Sequence, residues 1–572
     1  MCGIWLYIQH INSDTEDCLW NLEKANAQIK KRGPDRSVMK KLTFGDYQLF
    51  LGFHRLAIMD LSEHGDQPFI LDTDNCNEQI YLMCNGEIYG YLNLVKEFGL
   101  ESRLKSHSDC EVLIHLYKIL GLEGLYKILT TRDDVSGEFA MTILHVREDT
   151  LDIHYMRDFC GKRPLYCSQY IDQERGIIEA LCLTSQLCGV PFKSHKNKVV
   201  DQIKGSTFGT YKLTLGSRGI THLSEKTELL SSIPITIYDE EEACRKIYET
   251  FIRIVRDQLV SDRPIVFMLS GGLDSSVCAC VGAHIYRESG YKNKIKTVCI
   301  GLEGGTDEIH AKTVAEFIGS QHTHIMCEDR EFIDCAENRI TEKIESYDIT
   351  SNRASVPQLI SAEKIREMTD CKVVIVGDYA DEVCGGYNET KYAPTVNDYA
   401  NRIHELVDEI IYFDGKRVDR CIGGSGLEAR MPFGDHRFIK LYLSIDPELR
   451  MPRDGCEKYL LRKAFDGKNI IPQSVLWRPK EAFSDGVSSL KRSWYQIVLD
   501  HFDKKYLDED LERAKIVYKI NTPYTKESLH YRIMFDRHFS DTNANVIPKF
   551  WLPKWGNVKE PSARVLDVYR ET

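Results

Sequence analysis

The sequence predicts two unlike domains: an α+β N-terminal domain of stacked antiparallel sheets with helices, and an α/β C-terminal domain whose parallel sheet has flanking helices. Three observations support this prediction. At 572 residues the chain is too long for a single hydrophobic core. Up to residue 205, short β-like runs are separated by turn signals. From about residue 240, apolar runs alternate with amphipathic helices.

The spacing of apolar residues places the individual elements in order along the chain. In the first part, strands are predicted over residues 47–54, 78–83, 140–146 and 151–155, and one clearer helix over residues 109–120. In the second part, strands over residues 263–269, 294–302 and 372–376 alternate with helices over residues 275–288 and 308–318. Such alternation is typical of a parallel sheet covered on both faces. We therefore expect domains over residues 2–205 and 241–572, joined by a linker over residues 206–240 that is rich in Ser, Thr and Gly.

The composition is that of a soluble globular protein, with 42% hydrophobic and 28% charged residues. A formal net charge of −12 and a pI of about 5.9 argue against a nucleic-acid partner, because binding phosphate backbones requires clustered Lys and Arg. The start lacks the pattern of a signal peptide, and no apolar run approaches the ~18 residues of a membrane helix. The 19 cysteines form no Cys-x-x-Cys pair, so we expect reduced thiols in a cytoplasmic protein that binds neither nucleic acid nor membranes.

A cysteine occupies the second position of the chain. Removal of Met1 would leave Cys2 with a thiol and an α-amine on one residue, which is a nucleophile with its own base. The α-amine has a pKa of about 8, low enough to accept the thiol proton near neutral pH, and the thiolate is the reactive form. Taken alone, Cys2 is best interpreted as an ordinary second residue, and the motifs that follow overturn that interpretation.

Four short motifs add the chemistry needed to cleave a carboxamide. They are Arg32-Gly33-Pro34-Asp35, Gly52-Phe53-His54-Arg55-Leu56, Asn85-Gly86-Glu87-Ile88-Tyr89 and Ser108-Asp109-Cys110-Glu111. Each alone is compatible with a turn, a solvated charge or a helix cap. With Cys2 as the nucleophile, however, the Asn85 side chain and the Gly86 N–H can stabilise an oxyanion. For an amino-acid substrate, Arg55 can bind the α-carboxylate, and Glu87 and Asp109 can bind the α-ammonium group.

These motifs, together with Arg157-Asp158, Gly161 and Pro164-Leu165-Tyr166, resemble the class II glutamine amidotransferase domain in residues and order. That family uses an N-terminal cysteine to cut glutamine into glutamate and ammonia. The resemblance assigns catalysis to Cys2, Asn85 and Gly86, and it assigns glutamine binding to Arg55, Leu56, Ala57, Ile58, Met59, Asn85, Gly86, Glu87 and Asp109. One departure is Lys31, where many relatives have His, and we expect that position to be structural.

A further motif, Ser270-Gly271-Gly272-Leu273-Asp274-Ser275-Ser276, follows a predicted strand and opens a predicted helix. Its glycines let the backbone wrap a phosphate, its serines can hydrogen-bond phosphate oxygens, and the helix N-terminus favours an anion. Asp274 can hold a Mg²⁺ ion that binds the phosphate. Since no Gly-Lys-Ser/Thr follows, a Walker loop is excluded, and a generic Ser-Gly-Gly turn is the alternative.

This loop resembles the pyrophosphate loop of enzymes that adenylate a substrate and release pyrophosphate. Because ligands of open parallel sheets lie at the carboxyl ends of the strands, the resemblance implies an ATP site there. Its residues are Met268, Ser270, Gly271, Gly272, Asp274, Ser275, Ser276, Ile300, Val376 and Gly377. Three carboxylates, those of Asp378, Asp381 and Glu382, follow another strand and are costly without cations or protons. Asp381 is therefore the expected second Mg²⁺ ligand beside Asp274.

From Cys2 to residues 561–564, the order of motifs resembles that of the glutamine-hydrolysing asparagine synthetases. The resemblance implies a glutaminase domain over residues 2–205, an ATP-dependent synthetase domain over residues 241–572, and ammonia passing between them. Glutamine, aspartate and ATP are the implied substrates, Mg²⁺ the cofactor, asparagine, AMP and pyrophosphate the products, and a homodimer one expected assembly. Lys480 would stabilise the charged intermediate, and Arg353 would support the phosphate or acceptor site. Asp378 would act on the acyl-adenylate and ammonia.

Several positions in the second part of the chain differ from the usual family pattern. The family usually reads Ser-Gly-Glu-Gly-Ser-Asp-Glu where this chain reads Val376-Gly377-Asp378-Tyr379-Ala380-Asp381-Glu382. Asp378 is one methylene shorter than glutamate, and a displacement near 1 Å can lower a rate about 100-fold. Tyr379 replaces a glycine and is expected to narrow the site, and Gly434 replaces a bulky residue. Glu457 and Glu481 are interpreted as surface charges.

Two alternatives to aspartate amidation follow from these departures. One is the same architecture acting on another acceptor carboxylate, which the altered loop at residues 378–380 favours. The other is a non-catalytic relative that retains only nucleotide binding. The intact Cys2 and the intact phosphate loop argue against the second alternative.

Overall fold

The structure, a computed structural model, describes residues 1–11, 19–73, 77–191, 198–291, 293–481, 486–488, 492–555 and 560. The chain forms two compact units. The first comprises Met1–Leu229 with Gly426–Glu428, and the second comprises Leu230–Ser425 with Ala429–Thr572. Residues 561–564, where the predicted family resemblance ends, lie outside the described residues, as do residues 482–485.

The described part of the first unit is built on strands with a few helices. The strands are β1 (Gly3–His10), β2 (Arg36–Phe44), β3 (Tyr47–Arg55), β4 (Phe69–Asp72), β5 (Gln79–Tyr89), β6 (Ser136–Val146), β7 (Thr150–Arg157), β8 (Tyr166–Asp172), β9 (Ile177–Thr184), β10 (Lys198–Gln202), β11 (Thr207–Thr214) and β12 (Thr221–Thr227). They form two antiparallel sheets with the strand orders β10-β8-β9-β1-β3-β2 and β12-β11-β7-β6-β5-β4. The helices are α1 (Leu19–Gln28), α2 (Tyr91–Glu97) and α3 (Val112–Thr131), with 3₁₀ turns at Lys30–Arg32, Glu63–Gly65 and Leu187–Gly189.

The two sheets of the first unit share a hydrophobic core. Alternate side chains of β1 point to opposite faces of its sheet. Ile4 packs on one face in a buried cluster that includes Met83 of the other sheet, and Trp5 packs on the opposite face with Leu22 of α1. Strand β1 is therefore covered on both faces, and Cys2 directly precedes it.

The segment expected to be a linker, residues 206–240, contains two strands of the first unit. β11 pairs with β7, and β12 pairs with β11, so both belong to the second sheet. Thr is well suited to strands, and the exposed β12 forms a polar sheet edge, which explains why a Thr-rich stretch resembled a loop in sequence. The two units are divided in sequence between Leu229 and Leu230.

Helix α3 begins and ends later than the helix predicted over residues 109–120. Its N-cap is Glu111, and the Asp109 carboxylate instead accepts a hydrogen bond from the Ile88 N–H at 2.5 Å. Gly121 adopts a φ of 69° inside the helix, so the helix continues through a kink at the glycine where the sequence pattern suggested an end.

The remaining described strands form a third sheet. They are β13 (Ile265–Met268), β14 (Lys296–Leu302), β15 (Gln321–Cys327), β16 (Val373–Ile375) and β17 (Glu428–Arg430), in the order β15-β14-β13-β16-β17. The β13–β14, β14–β15 and β13–β16 pairs are parallel. The carboxyl ends of these neighbouring strands therefore lie at one edge of the sheet.

Helices surround this sheet. They are α4 (Glu240–Gln258), α5 (Leu273–Glu288), α6 (Thr306–Ile318), α7 (Asp329–Asn338), α8 (Ile340–Ile344), α9 (Ile349–Met368), α10 (Ala380–Cys384), α11 (Val396–Glu409), α12 (Asp414–Val418), α13 (His436–Leu443), α14 (Pro447–Arg450), α15 (Tyr459–Phe465), α16 (Gln473–Leu476), α17 (Trp494–Lys505), α18 (Asp508–Val517) and α19 (Lys526–Phe539). The predicted fold class is confirmed in both parts: antiparallel sheets with helices come first, and a parallel sheet with helices follows.

The state of the cysteines and the character of the helices can be compared with the expectations from composition. Every cysteine in the described residues is free, and most are buried, as expected for small core side chains in the reduced state. Among the helices of the described ranges, none combines the length and apolar character that crossing a bilayer requires.

Candidate active sites

Cys2 lies at the start of β1, where a buried arginine fixes its main chain. Arg32 is fully buried and donates from Nε to the Cys2 carbonyl oxygen at 2.9 Å. The Cys2 thiol donates to the Leu56 carbonyl oxygen, with Sγ and O 3.7 Å apart. Gly33 permits a close approach of the chain, because a Cβ there would lie 2.1 Å from the His54 carbonyl oxygen. The motif predicted only as a rigid turn thus holds the cysteine in place.

Burial shifts both ionisable groups at the chain start. It lowers the pKa of the Met1 α-amine to about 6, so that amine is mostly uncharged at neutral pH. Burial also raises the pKa of the Cys2 thiol, and the Met1 amine offsets part of that rise. With Met1 in place the thiol is therefore protonated at neutral pH. Removal of Met1 would free the backbone nitrogen of Cys2 as the new α-amine.

Asn85 presents an unpaired amide inside the first unit. Its side chain is fully buried, and within the described residues neither Oδ1 nor Nδ2 has a hydrogen-bond partner. Leaving a buried polar group unpaired costs about 1–3 kcal/mol, so a ligand that supplies a partner is favoured. Asn85 lies opposite Ala140 in the β5–β6 pair, and Cys2 packs against the core cluster that contains Ala140. This placement suits the predicted role of Asn85 as a donor to an oxyanion.

Arg55, predicted to bind a substrate carboxylate, is engaged within the protein. Its Nη1 donates to Asp66 Oδ1 at 2.7 Å and to the Ser62 carbonyl oxygen at 2.6 Å. Its Nη2 donates to the carbonyl oxygens of Asp60 and Met59. The terminal nitrogens of the guanidinium therefore already have acceptors, and a substrate carboxylate would have to exchange with some of them. In this arrangement Arg55 braces the loop that follows β3.

That loop carries the other residues predicted to bind glutamine. Leu56, Ala57 and Ile58 are buried, and the Ala57 N–H donates to Asp35 Oδ2 at 2.9 Å. The Leu56 carbonyl oxygen faces the Cys2 thiol. The loop is thereby joined to the motif that holds the nucleophile.

Glu87 and Asp109 are both buried in the first unit. Asp109 Oδ2 accepts from the Ile88 N–H at 2.5 Å, and the Cys110 thiol lies 3.8 Å from the same oxygen. Asp109 therefore ties the residues before α3 to strand β5. It holds the strand that carries Asn85, Gly86 and Glu87.

In the second unit, a cavity of about 220 Å³ lies at the carboxyl ends of β13, β14 and β16. The predicted residues that line it are Met268, Ser270, Gly272, Asp274, Ser275, Ile300, Val376, Gly377, Asp378, Asp381 and Lys480. Gly271 and Ser276 are not among the lining residues, and the Ser276 side chain is fully buried. Most residues expected to contact ATP therefore face one shared space.

Hydroxyl groups hold the glycine-rich loop in shape. The Ser270 N–H donates to Ser275 Oγ at 3.2 Å, and the two Oγ atoms are 3.1 Å apart. The Gly272 N–H donates to Ser270 Oγ at 3.3 Å. Gly271 has a φ of 78°, and a Cβ there would lie 2.4 Å from the Ala311 nitrogen, so only glycine fits. Helix α5 begins directly after this loop, which places its N-terminus at the cavity.

Two lysines join the carboxylates of Asp274 and Asp381. Lys458 Nζ lies 2.6 Å from Asp274 Oδ1 and 2.6 Å from Asp381 Oδ1. Lys480 Nζ bonds to Asp381 Oδ2 and lies 3.8 Å from Asp274 Oδ2. Burial opposes the ionisation of Asp381, but the two ammonium groups hold the pKa of this carboxyl below its usual value. Roles for Asp274, Asp381 and Lys480 are predicted from the sequence, whereas no role is predicted for Lys458.

The Asp274 and Asp381 carboxylates fit a divalent cation shared with phosphate. They are close enough to contact one ammonium group, and Mg²⁺ prefers one or two carboxylates together with phosphate oxygens and waters. Within the described ranges, no cluster of three or more His, Cys, Asp or Glu side chains could enclose a metal. The donor set therefore suits a cation that binds together with a phosphate ligand.

Asp378 lies in a network of buried acids and one arginine. Arg417 Nη2 donates to Asp378 Oδ1 at 2.7 Å and also to Asp414 Oδ1. The Tyr387 hydroxyl lies 2.6 Å from Glu382 Oε1 and 2.9 Å from Asp414 Oδ2. Burial raises the pKa of Asp378 despite Arg417. Burial and Asp414 raise the pKa of Glu382 well above its usual value, so protons offset part of the negative charge here.

Arg353 is not among the residues that line the cavity, although the adjacent Ala354 is. It is buried, and its Nε donates to Glu527 Oε1 at 2.9 Å, while its Nη1 bonds to Glu560. It does not line the cavity, so any support that it gives to the acceptor site is indirect. Through these two carboxylates, Arg353 joins α9 to Glu527 of α19 and to Glu560.

The interpretation of Glu457 as a surface charge is wrong. Its residue is 1% exposed, and Arg462 Nη2 donates to Glu457 Oε1 at 2.5 Å. Glu481 is also more than a solvated charge, because it lines the cavity and accepts from Arg478 Nη2 at 2.9 Å. Both acids belong to ion pairs whose partners sequence spacing alone did not single out.

Asp307, at the start of α6, is a buried acid on the cavity wall. Arg478 Nη1 lies 3.4 Å from Asp307 Oδ1 and 3.2 Å from the Gly271 carbonyl oxygen. Burial raises the pKa of Asp307 to about 7, and Arg478 offsets only part of that rise. No role in the site is predicted from the sequence for Asp307 or for Arg478.

This raised pKa predicts a pH-dependent difference in stability. The folded protein binds the Asp307 proton more tightly than the unfolded chain, whose carboxyl has a pKa near 3.8, so this group lowers the free energy of unfolding as pH rises from about 4 to about 7. Asp307→Asn stays neutral. We therefore expect its Tm relative to the wild type to rise steadily between about pH 5 and 7 and then to level off. The exposed Asp503→Asn is the matched control. A Tm difference that does not change with pH would contradict the assignment.

Each of the two parts of the chain matches a known protein family. Residues 1–202 match the glutamine amidotransferase domain family, and residues 246–410 and 400–545 match the asparagine synthase family. A glutamine-hydrolysing asparagine synthetase of Gallus gallus is 35% identical over 585 residues, covering 100% of this chain and 99% of the relative. The Homo sapiens enzyme of that name is 34% identical over 584 residues with the same coverage. A probable enzyme of that name from Acanthamoeba polyphaga mimivirus is 36% identical over 586 residues, covering 99% of this chain and 100% of the relative. The chain therefore belongs to the family of glutamine-hydrolysing asparagine synthetases.

Proposed function

We propose that the protein synthesises asparagine from aspartate, with ATP as the activating substrate and glutamine as the source of ammonia. The observation that carries this proposal is that one cavity gathers the glycine-rich loop, Asp274, Asp381, Lys458 and Lys480. A serine and glycine loop at a helix N-terminus suits phosphate groups, and the lysines beside it suit the charge that develops as pyrophosphate leaves. Full-length membership of the family supports the choice of substrates.

In the first unit, Cys2 is the proposed nucleophile. Its sulfur attacks the carboxamide carbon of glutamine, and the Asn85 amide and Gly86 N–H stabilise the resulting oxyanion. Collapse of that intermediate breaks the C–N bond and releases ammonia, and water then hydrolyses the thioester to glutamate. The α-amine of Cys2, exposed by removal of Met1, would accept the thiol proton and return it to the leaving nitrogen. We place this chemistry in residues 2–205.

Gly86→Ala is expected to lower glutamine hydrolysis by about 100-fold or more. A Cβ at this position would lie 2.2 Å from the Glu138 carbonyl oxygen and 2.7 Å from Phe139 Cα, so β5 must shift and carry the oxyanion donors with it. Loss of one such donor alone costs about 10²–10³ in kcat. Glutamate release measures the effect, with ammonia-dependent synthesis retained. Leu92→Ala, at an exposed position of the first unit, is the control. Unchanged glutamate release in Gly86→Ala would contradict the assigned oxyanion site.

In the second unit, residues 241–572 are proposed to activate aspartate. The Ser270 and Ser275 hydroxyls and the Gly272 N–H would bind phosphate oxygens of ATP. A β-carboxylate oxygen of aspartate attacks the α-phosphorus, and the P–O bond to pyrophosphate breaks. Lys458 and Lys480 neutralise the charge that develops on the departing group. Mg²⁺, held by Asp274 and Asp381, would supply further neutralisation of the phosphates.

Amidation follows adenylation because a free carboxylate is a poor electrophile. Ammonia attacks the acyl carbon, a C–N bond forms, and the C–O bond to AMP breaks. Asp378 is the proposed acceptor of the proton that the attacking nitrogen loses, since its raised pKa brings it closer to the working pH. Arg417 holds this carboxylate in position through the contact at 2.7 Å.

A second candidate function is the same chemistry on another acceptor carboxylate. The observation that favours it is the pair Asp378 and Tyr379, which stands where the family usually has glutamate and glycine. Both residues line the cavity, so they can change the acceptor that fits. The catalytic groups for adenylation would be the same.

Pyrophosphate release distinguishes the two functions. Purified protein is given ATP and Mg²⁺, with or without aspartate, and with either glutamine or ammonium, and asparagine is measured in parallel. Aspartate-dependent pyrophosphate with equal asparagine is expected. Glutaminase activity without aspartate-dependent pyrophosphate would contradict the proposal, and a screen of other carboxylates would then identify the acceptor. Nucleotide binding without turnover on any acceptor would indicate a non-catalytic relative.

We further propose a cytoplasmic location and a homodimer. The free and mostly buried thiols support a reducing compartment, whereas the homodimer is carried over from the family resemblance. Light scattering tests the assembly, because a particle of the 65.9 kDa chain mass would contradict a dimer.

A further inference from the structure

Tyr379, directly after Asp378, has a backbone conformation that tyrosine rarely adopts. Its φ is 77°, in the left-handed region where Cβ crowding costs roughly 1–2 kcal/mol for residues other than glycine. The residue is nevertheless buried, with 1% of its surface exposed. Packing around the side chain must therefore hold this conformation.

The Tyr379 phenol packs against a glycine of α12. A Cβ built at Gly415 would lie only 2.6 Å from the Tyr379 hydroxyl oxygen, and 2.9 Å from the Ile410 carbonyl oxygen. The hydroxyl thus reaches the space that a side chain at Gly415 would need. No larger residue fits at Gly415 while the phenol keeps this position.

The same helix also binds the residue before Tyr379. Arg417 of α12 donates to Asp378 Oδ1 at 2.7 Å. Two consecutive residues of the loop after β16 therefore dock on α12, one through a phenol on Gly415 and the other through an ion pair with Arg417. Two such contacts fix both the position and the rotation of the loop.

We propose that Tyr379 and Gly415 form a positioning pair that sets the place of the Asp378 carboxylate in the acceptor part of the cavity. The proposal rests on the proposed synthetase activity. Tyr379, Asp378 and Arg417 all line the cavity, so a shift of the loop moves the carboxylate relative to the acceptor. The aspartate side chain is one methylene shorter than that of glutamate and has one rotatable bond fewer. The position of the Asp378 carboxylate therefore depends more strongly on the position of its backbone.

The ATP loop follows a different strand. It follows β13, whereas the Tyr379 loop follows β16. Val376 and Gly377 of the Tyr379 loop, and Asp381 of the helix that follows it, also belong to the proposed ATP and cation site. Displacement of Tyr379 is accordingly expected to change the use of aspartate most and the binding of ATP less. A larger effect on aspartate than on ATP would distinguish a displaced Asp378 from a general loss of structure, which would affect both substrates.

A double-mutant cycle tests the pair. Gly415→Ala, Tyr379→Phe and the double variant are compared with the wild type by pyrophosphate release with ammonium and aspartate. We expect Gly415→Ala to lower kcat by about tenfold or more and to raise the KM for aspartate more than the KM for ATP. Tyr379→Phe alone should change kcat by less than about threefold, because the ring remains. In that background Gly415→Ala should cost at least about threefold less than in the wild type, because the hydroxyl that it meets is gone while the Ile410 carbonyl oxygen remains.

The cost of Gly415→Ala is compared between the wild type and the Tyr379→Phe variant, so any effect that is the same in both proteins cancels. The Ile410 carbonyl oxygen crowds an alanine in either background, so its cost cancels in the cycle. Tm values of the four proteins should show the same coupling. Tyr442→Phe, a buried tyrosine of this unit that does not line the cavity, is the control.

Two results would overturn the positioning pair while leaving the proposed function intact. One is an equal cost of Gly415→Ala in both backgrounds, and the other is coupling in Tm with no change in kcat or in the KM for aspartate. A wild type without aspartate-dependent pyrophosphate release would instead contradict the proposed function itself.

Discussion

Cys2→Ala is expected to lower glutamine-dependent asparagine synthesis by at least about 10³-fold, with ammonia-dependent synthesis within about twofold of the wild type. The thiol is the proposed nucleophile, and alanine cannot form the thioester. Among the described residues the thiol donates to the Leu56 carbonyl oxygen alone, at 3.7 Å, so removing this small group should change little of the surrounding structure. Asparagine formed from glutamine or from ammonium at mildly alkaline pH measures the two activities separately.

Cys188→Ala is the matched control for this substitution. Cys188 is another half-buried cysteine of the first unit, and it packs with Trp5 on the far face of β1. Both activities should survive its replacement. Failure of ammonium to restore synthesis in Cys2→Ala would contradict the division into two separate chemistries.

Asp274→Asn is expected to abolish glutamine-dependent and ammonia-dependent synthesis together, each by about 100-fold or more, while glutamate release continues. The change keeps the shape of the side chain and removes its charge. Lys458 then keeps at most one of its two contacts, at 2.6 and 2.7 Å, because the asparagine amide nitrogen cannot accept, and the proposed cation loses one of its two carboxylates. Pyrophosphate release with each nitrogen source measures the loss.

Asp370→Asn provides the comparison for this charge removal. Asp370 pairs with Lys296 in an exposed ion pair away from the cavity, and such pairs contribute little. Normal pyrophosphate release in Asp274→Asn would place the adenylation site elsewhere. Loss of glutamate release along with synthesis would point to general unfolding, which Tm measurement would reveal.

The sequence predicts best where the chemistry is carried by neighbouring residues. The loop from Ser270 to Ser275 was assigned correctly in outline to the end of a strand and the start of a helix, because strand, loop and helix follow one another in the chain. Asn85 and Gly86 were also singled out from one short motif, and their roles remain predictions. Hydrophobic periodicity likewise placed β13, α5, β14 and α6 within a few residues.

Pairings between distant residues could not be predicted in this way. Lys458 contacts Asp274 across 184 residues, and Arg353 contacts Glu527 across 174 residues. Nothing in the local pattern of Glu457 and Lys458 separates a buried ion pair from an exposed charged segment. The same limit applies to Tyr379, whose hydroxyl lies close to Gly415 in a helix that follows later in the chain.

The linker and the helix α3 show a different limit. A stretch rich in Ser, Thr and Gly looked like a connection, yet β11 and β12 are strands because a sheet edge was available for pairing. Gly121 looked like a helix end, yet glycine also tolerates a kink, and buried contacts on both sides keep the helix together. In both cases tertiary packing decided between two local structures that the sequence allowed.

Transfer of oxygen from aspartate to AMP is the measurement that tests the central claim most directly. Aspartate carrying ¹⁸O in its β-carboxylate is incubated with ATP, Mg²⁺ and ammonium, and the nucleotide product is analysed by mass spectrometry. Adenylation predicts one ¹⁸O in each AMP, because the acyl C–O bond breaks when ammonia attacks. Unlabelled AMP, or ADP with labelled phosphate, would contradict activation of aspartate as an acyl-adenylate in this cavity.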